Sequence, residues 1–284
     1  MSQPRVLIID GNRAAIREQQ LAAGGSPTGE GYARTLRQLA PVTCDIVHPA
    51  DGEVQWPAGV TLADYDGVAI TGSALNIYDG GALIERQIEL ARAVFESGVP
   101  CFGSCWGMQL AVTAAGGRVR ANPLGREFGF ARRIALNATG RTHDMYRGKP
   151  AVFEAVTVHR DDIETLPPGA TALADSDMGL QAIEMRAGRS VFWGVQYHPE
   201  YSYADIAATA KRYAPVLLAE GLFADRGELD AWVADVLALE RAPRDARLCW
   251  KHGLGPGMQD ARAKLAELRN WLDLLVLPGR QRRS

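Results

Sequence analysis

Short apolar runs that end in turn residues recur through the first half of the chain. Arg5–Ile9 (RVLII) runs into Asp10-Gly11-Asn12, Gly67–Ile70 (GVAI) into Thr71-Gly72-Ser73, and Val99–Phe102 (VPCF) into Gly103-Ser104. Helical periodicity fills the gaps. Over Ile84–Phe95, Ile88, Ala91 and Phe95 share one face, while Glu85, Arg86 and Glu89 fall elsewhere. Trp106–Ala115 is apolar nearly all round, as a helix covered on both sides would be, and it stops at Gly116-Gly117. Buried β-like runs alternating with helices predict an α/β protein whose sheet is mainly parallel.

From about Ala131 to Val195 the pattern changes. The runs Arg133–Leu136, Ala155–His159, Ala170–Ala174, Gln181–Met185 and Ser190–Val195 are separated by turn signals such as Pro167-Pro168-Gly169. This half reads as β-rich with few helices, and helix returns over Tyr203–Ala219. Residues 1–222 then form one domain, and residues 223–284 a helical C-terminal extension. In the extension Leu229, Trp232, Val233 and Val236 share a face. After a Gly/Pro break at Gly253–Gly257, Ala261, Leu265, Leu268, Leu272 and Leu275 repeat at steps of four and three, the seam of packed helices. Docking on the chain's own core is expected ahead of a homodimer interface, and no chemistry is expected from this segment. The tail Arg280–Ser284 (RQRRS) is basic and expected to fray.

Charge narrows the partners. Lys and Arg number 31 against 33 Asp and Glu, so the net charge of −2 gives no electrostatic footprint for nucleic acid. Met1–Asp10 lacks the basic region and long apolar stretch of a secretory signal, and no apolar run nears the ~20 residues of a membrane helix. Four cysteines are too sparse for a disulfide scaffold, which points to the cytoplasm.

The strongest chemical signal is Gly103-Ser104-Cys105-Trp106-Gly107-Met108-Gln109, set where a buried strand meets an apolar helix. A sharp strand–helix turn with glycines two residues either side of a nucleophile is the elbow that lifts a side chain above the sheet edge. The helix N-terminus offers Cys105 unpaired N–H groups and a positive dipole end, both favouring thiolate. A buried structural cysteine is the bland alternative, and the flanking glycines argue against it. A nucleophilic thiol needs a base and the base an orienter. Among five histidines, His198 lies in Gly194-Val195-Gln196-Tyr197-His198-Pro199-Glu200, directly after a β-like run. His198 and Glu200, two apart in extended chain, face the same side, so the carboxylate can hold the imidazole. An ordinary surface His–Glu pair has the same spacing.

Together GSCWGMQ and GVQYHPE resemble the class I glutamine amidotransferases, whose signatures are G-x-C-x-G-x-Q and H-P-E. The surroundings, over about residues 5 to 222, are most similar to the glutaminase domain of GMP synthase. The resemblance implies a flavodoxin-like α/β fold, with Cys105 as nucleophile, His198 as general base and acid, and Glu200 as orienter. It also implies an oxyanion hole from the Trp106 N–H and from the loop at Gly72-Ser73, where the family's Gly-Gly-Pro reads Gly72-Ser73-Ala74. A side chain at Ser73 is strained if that position needs positive φ. Gln109 matches a substrate-holding position, and Val158-His159-Arg160-Asp161 resembles the family's H-x-D segment, where His159 is either a substrate contact or structural.

No cofactor or metal is expected. Cys101 and Cys105 have C-x3-C rather than C-x2-C spacing, and Cys101 falls within the strand. Gly24–Gly31 lacks G-K-[ST], and Pro27 removes a donor N–H, so this run is expected to be a mobile loop near the site. Three readings follow: a glutaminase releasing ammonia to a separate synthase subunit, a stand-alone hydrolase of γ-glutamyl amides or peptides, and an inactive binding module. The first is the commoner role in the family. The intact Cys-His-Glu set argues against the third.

Overall fold

The computed structural model describes residues 3–278; the basic tail Arg280–Ser284 lies outside them. The strands are β1 (Arg5–Ile9), β2 (Thr43–Val47), β3 (Gly67–Ile70), β4 (Cys101–Ser104), β5 (Arg118–Ala121) and β6 (Glu127–Leu136). They continue with β7 (Val152–His159), β8 (Asp161–Thr165), β9 (Ala170–Ser176), β10 (Gly179–Ala187) and β11 (Ser190–Val195). One sheet runs in the order β2-β1-β3-β4-β11-β10-β9-β6-β7, and β5 pairs with β8 separately. From β2 to β11 the neighbours are parallel; from β11 to β7 they are antiparallel. The two expected halves, parallel α/β and β-rich, are thus fused edge to edge in one sheet. The run expected as a strand from Val99 forms β4 from Cys101 instead. Pro100 has no N–H for the ladder, and its carbonyl accepts from Val68 N–H at 3.0 Å.

Strand alternation decides what each face meets. Val6 and Ile8 point into one apolar cluster, and Leu7 and Ile9 into the other. Helices α1 (Ala14–Ala22), α2 (Thr28–Leu39), α3 (Ala82–Ser97) and α4 (Trp106–Ala114) follow the early strands. Ile84, Ile88, Ala91 and Phe95 of α3 pack with Met108, Leu110 and Val112 of α4 over Leu7, Ile9, Val68 and Ile70. On the opposite face Tyr32, Ala33 and Leu36 of α2 cover Val6, Ile8 and Ala69. Gly24–Gly31 is not wholly loop: α2 starts at Thr28, where the Asp10 carboxylate accepts the Gly29 N–H at 2.8 Å and caps the first turn.

The C-terminal helices divide between two places. Helices α5 (Tyr203–Ala219), α6 (Arg226–Arg241) and α7 (Ala246–His252) form a third apolar cluster that includes Val156 of β7, Leu229, Val233, Val236 and Leu248. After the short α8 (Pro256–Gln259) and α9 (Ala261–Lys264), the helix α10 (Ala266–Trp271) and a π-helical turn (Leu272–Val276) lie under the sheet. Leu268, Trp271, Leu272 and Val276 are fully buried there beside Ala69 and Phe102. Gly67 leaves the room: a Cβ on it would come 2.8 Å from Val276 and 3.0 Å from Trp271. Leu265 and Leu275 pack against the same cluster, whereas Ala261, at the start of the seam, is exposed. Among the described residues no helix is long and apolar enough to cross a membrane.

Because Trp271 fills the underside of the sheet, Trp271→Ala should destabilise the whole protein by ~3–5 kcal/mol in urea unfolding, whereas a change below about 1 kcal/mol would show that the last helix is dispensable to the core.

Candidate active site

Between the end of β4 and the start of α4 stands one residue, Cys105, at φ 52° and ψ −107°. A non-glycine residue in that region is strained, by about 1–3 kcal/mol, and persists only where its surroundings over-determine it. Here they do. The Cys105 N–H donates to Val195 O at 2.7 Å, and the glycines at either side remove what would collide. A Cβ on Gly107 would sit 2.3 Å from Ile70 O, and one on Gly103 would sit 2.6 Å from the Gly107 carbonyl carbon. Helix α4 therefore crosses the strand ends in near contact. Cys101, four residues earlier, is buried inside β4, and burial pushes its thiol up.

Strand β11 lies beside β4 in parallel register, with Val195 opposite Ser104. The chain leaving β11 thus emerges at the same carboxyl edge as Cys105, the edge where open α/β sheets place ligands. The His198 N–H donates to Val156 O at 2.8 Å, and His198 Nδ1 and Glu200 Oε1 are 2.8 Å apart, each side chain 2% exposed. Tyr201 stacks on the imidazole, with centroids 4.1 Å apart. Burial alone would discharge His198. The Glu200 carboxylate, which is hydrogen-bonded to Nδ1, and the neighbouring Cys105 outweigh it and push the imidazolium up to about 10.

Cys105, His198, Gln109, His159 and Ser73 line one open cleft. Gly72 backs onto His198: a Cβ there would fall 2.5 Å from the ring Cε1. Ser73 does not have positive φ, so the strain that such a backbone would bring does not arise. Its hydroxyl instead ties the loop down, donating to Gly11 O at 2.8 Å and accepting from Leu75 N–H at 3.2 Å. Asn12 holds the same loop from the other side. Its Oδ1 accepts the Ala74 N–H at 2.9 Å and its Nδ2 donates to Gly72 O at 3.2 Å. Among the described residues the N–H groups of Ser73 and Trp106 make no hydrogen bond to a backbone carbonyl outside the regular elements. The Trp106 indole is buried and donates to Gln87 Oε1 at 3.0 Å.

Gln109 is 2% exposed and its amide donates to Gln196 Oε1 at 3.3 Å. His159 is held at both ring nitrogens, by Asp161 O at 3.0 Å and Glu127 Oε2 at 2.9 Å. That clamp fixes the backbone of the 158–161 segment along the cleft wall. The cleft is completed by Asn12, Arg126, Tyr201, Arg212 and Tyr213, none of which belongs to the two sequence motifs. Asn12 carried one readable signal, its place in the turn after the first buried strand. Arg126 and Arg212 reach the site only through tertiary packing, each stacked on the Tyr213 ring. No group of three or more His, Cys, Asp or Glu among the described residues is arranged to hold a metal ion.

The elevated imidazolium sets a pH test. A folded pKa of about 10 against 6.5 means that the stabilisation from His198 is full below pH 6.5 and is lost as pH rises towards 10. The alkaline limb of kcat/KM for an amide substrate should therefore lie near pH 10. A limb near 6.5 would show that Glu200 and Cys105 do not hold the proton.

The chain is similar to known proteins over most of its length. A profile of the family described as Glutamine amidotransferase class-I matches residues 30–208. A gamma-glutamyl-L-1-hydroxyisopropylamide hydrolase from a Pseudomonas species is 34% identical over 288 residues, which covers 100% of this chain and 97% of that protein. A glutamine-hydrolysing GMP synthase from Thermomicrobium roseum is 33% identical over 78% of this chain, which spans only 37% of that longer protein. Among solved structures, a glutamine amidotransferase from Methylobacillus flagellatus aligns with TM-score 0.66 at 20% identity, over 96% of each chain. One from Thermotoga maritima aligns with TM-score 0.63 at 18% identity, over 98% of this chain and 100% of that one. The chain belongs to the class I glutamine amidotransferase family.

Proposed function

We propose that this protein is a stand-alone hydrolase of γ-glutamyl amides, releasing a small amine and glutamate. The observation that carries the reading is the length of its likeness to the Pseudomonas hydrolase. That likeness extends over the whole chain, C-terminal helices included, whereas the GMP synthase match stops at 78% of it. The site's construction supports it. The loop bearing Ser73 is tied on both sides by Gly11 and Asn12 of the same chain, so its order needs no partner subunit. The match to GMP synthase favours a second reading, a glutaminase that passes ammonia to a synthase.

Both readings share a mechanism. Cys105, as thiolate, attacks the γ-carbonyl carbon, and the oxygen takes up the electron pair within reach of the Ser73 and Trp106 N–H groups. Donors of this kind are worth ~2.7–4 kcal/mol each to the transition state. His198, protonated and held by Glu200, gives its proton to the departing nitrogen as the C–N bond breaks. A γ-glutamyl thioester remains on Cys105. The neutral imidazole then takes a proton from water, whose oxygen displaces the thiolate to give glutamate. Gln109 and the backbone of 158–161 are assigned to the glutamyl end. The division at residue 222 is proposed as the end of the part that supplies these groups. The protein is assigned to the cytoplasm, where its free thiols stay reduced.

Steady-state release of amine and ammonia by the purified protein separates the readings. The hydrolase reading predicts turnover of γ-glutamyl alkylamides with kcat/KM at least about tenfold above that for glutamine, a difference of ~1.4 kcal/mol in transition-state binding. Glutamine as the better substrate, or turnover only after a synthase is added, would sink it. His198→Ala should abolish turnover, while Glu200→Gln should slow it less, because an amide can still orient the ring but nothing replaces the proton carrier.

A further inference from the structure

Two charged side chains of the C-terminal segment reach beneath the turn that carries His198 and Glu200. Glu267, in α10, is fully buried, and its Oε1 accepts a 2.5 Å hydrogen bond from the Tyr197 hydroxyl. The same oxygen is held by the Lys149 ammonium, whose side chain is 4% exposed and lies over the Phe153 ring. Tyr146 completes the group, its hydroxyl 3.0 Å from that of Tyr197. Three residues before Glu267, Lys264 donates from Nζ to the backbone carbonyl of Tyr201. The pair at i and i+3 therefore grips both ends of Tyr197–Tyr201, the five-residue turn whose middle holds the reactive histidine and its carboxylate.

Stability alone does not account for this arrangement. Desolvating an ion pair offsets most of its Coulombic gain, and an apolar replacement of the same shape commonly does as well. Glu267 Oε2 is buried and has no hydrogen-bond partner among the described residues, a further cost. The apolar residues beside it, Leu268, Trp271 and Leu272, already seat the helix. What the charged pair adds is direction: a hydrogen bond fixes an atom's position, where an apolar contact only fills space.

We infer that Glu267 and Lys264 are positioning residues, fixing the Tyr197–Tyr201 turn and, through it, the His198 ring against Cys105. The inference rests on the reading of Cys105 and His198 as the reacting pair. Tyr197 precedes His198 directly, so its hydroxyl anchors the backbone on the entry side. On the exit side, a shift of the Tyr201 carbonyl moves the ring that stacks on the imidazole. The C-terminal segment thus has a part in the geometry of the reaction although it touches no reacting atom.

The test uses the full chain with Tyr197→Phe, Glu267→Gln and Lys264→Met. It reads kcat, KM, melting temperature and the rate at which iodoacetamide alkylates Cys105, followed by peptide mass spectrometry. A misplacement of roughly 1 Å can cost about a hundredfold, so a loosened turn should lower kcat by about tenfold while KM stays within about twofold. Cys105 alkylation should slow in parallel, since the thiolate loses its imidazolium partner. Unchanged kcat and alkylation in Tyr197→Phe, whatever happens to the melting temperature, overturns the role of Glu267. The same result in Lys264→Met overturns that of Lys264. If Glu267→Gln does not fold, the other two variants still decide. Failure of the underlying pair looks different: wild-type Cys105 would alkylate no faster than Cys44, and His198→Ala would leave its rate unchanged.

Discussion

How closely the backbone of α4 approaches the ends of β3 and β4 governs everything at this site. Gly107 passes so near Ile70 O that any side chain there would overlap it, and Gly103 leaves room for Gly107 in turn. That contact forces the turn at Cys105 into positive φ. Move the helix outward by the width of a methyl group and the elbow relaxes. The Trp106 N–H would leave the sheet edge, and the thiol would lose the register with β11 that faces it towards His198. The strain at Cys105 is held in place by the packing of Met108, Leu110 and Val112 in a buried cluster, so core and site are one mechanical unit.

The second constraint is the parallel register of β4 and β11. It sets the carboxyl ends of two strands side by side, although the residues they deliver are far apart in sequence. Parallel neighbours also explain why the charged pair can be buried. Glu200 lies within hydrogen-bonding distance of His198 Nδ1, the Tyr201 ring covers the imidazole, and the proton is retained well above the ordinary histidine range. A pair so enclosed can exchange a proton with a bound amide with little competition from bulk water.

The elbow and the His–Glu spacing were legible in the sequence because both are local. Glycines two residues from Cys105 and a proline between His198 and Glu200 constrain a few consecutive dihedrals, and the rest of the fold is not needed to read them. Arg126 and Arg212 were not legible, since each reaches the cleft by tertiary packing. Glu267 was hidden for another reason: it sits inside a heptad-like run of leucines, where a charged residue reads as the solvent side of a helix. The structure turns that side inward, towards Lys149 and Tyr197. The segment from Gly253 to Lys264 also breaks into short helices, so the seam begins later than its spacing implies and Ala261 is left outside it.

The central claim is that Cys105 carries the γ-glutamyl group between two half-reactions. The most direct measurement is acid quenching of the protein during turnover of a γ-glutamyl amide, followed by mass spectrometry of its peptides. The account predicts a mass gain of one γ-glutamyl group on the peptide containing Cys105, lost on treatment with hydroxylamine and absent from Cys105→Ala, which should also be inactive. Steady turnover with no adduct, and undiminished in Cys105→Ala, would contradict it.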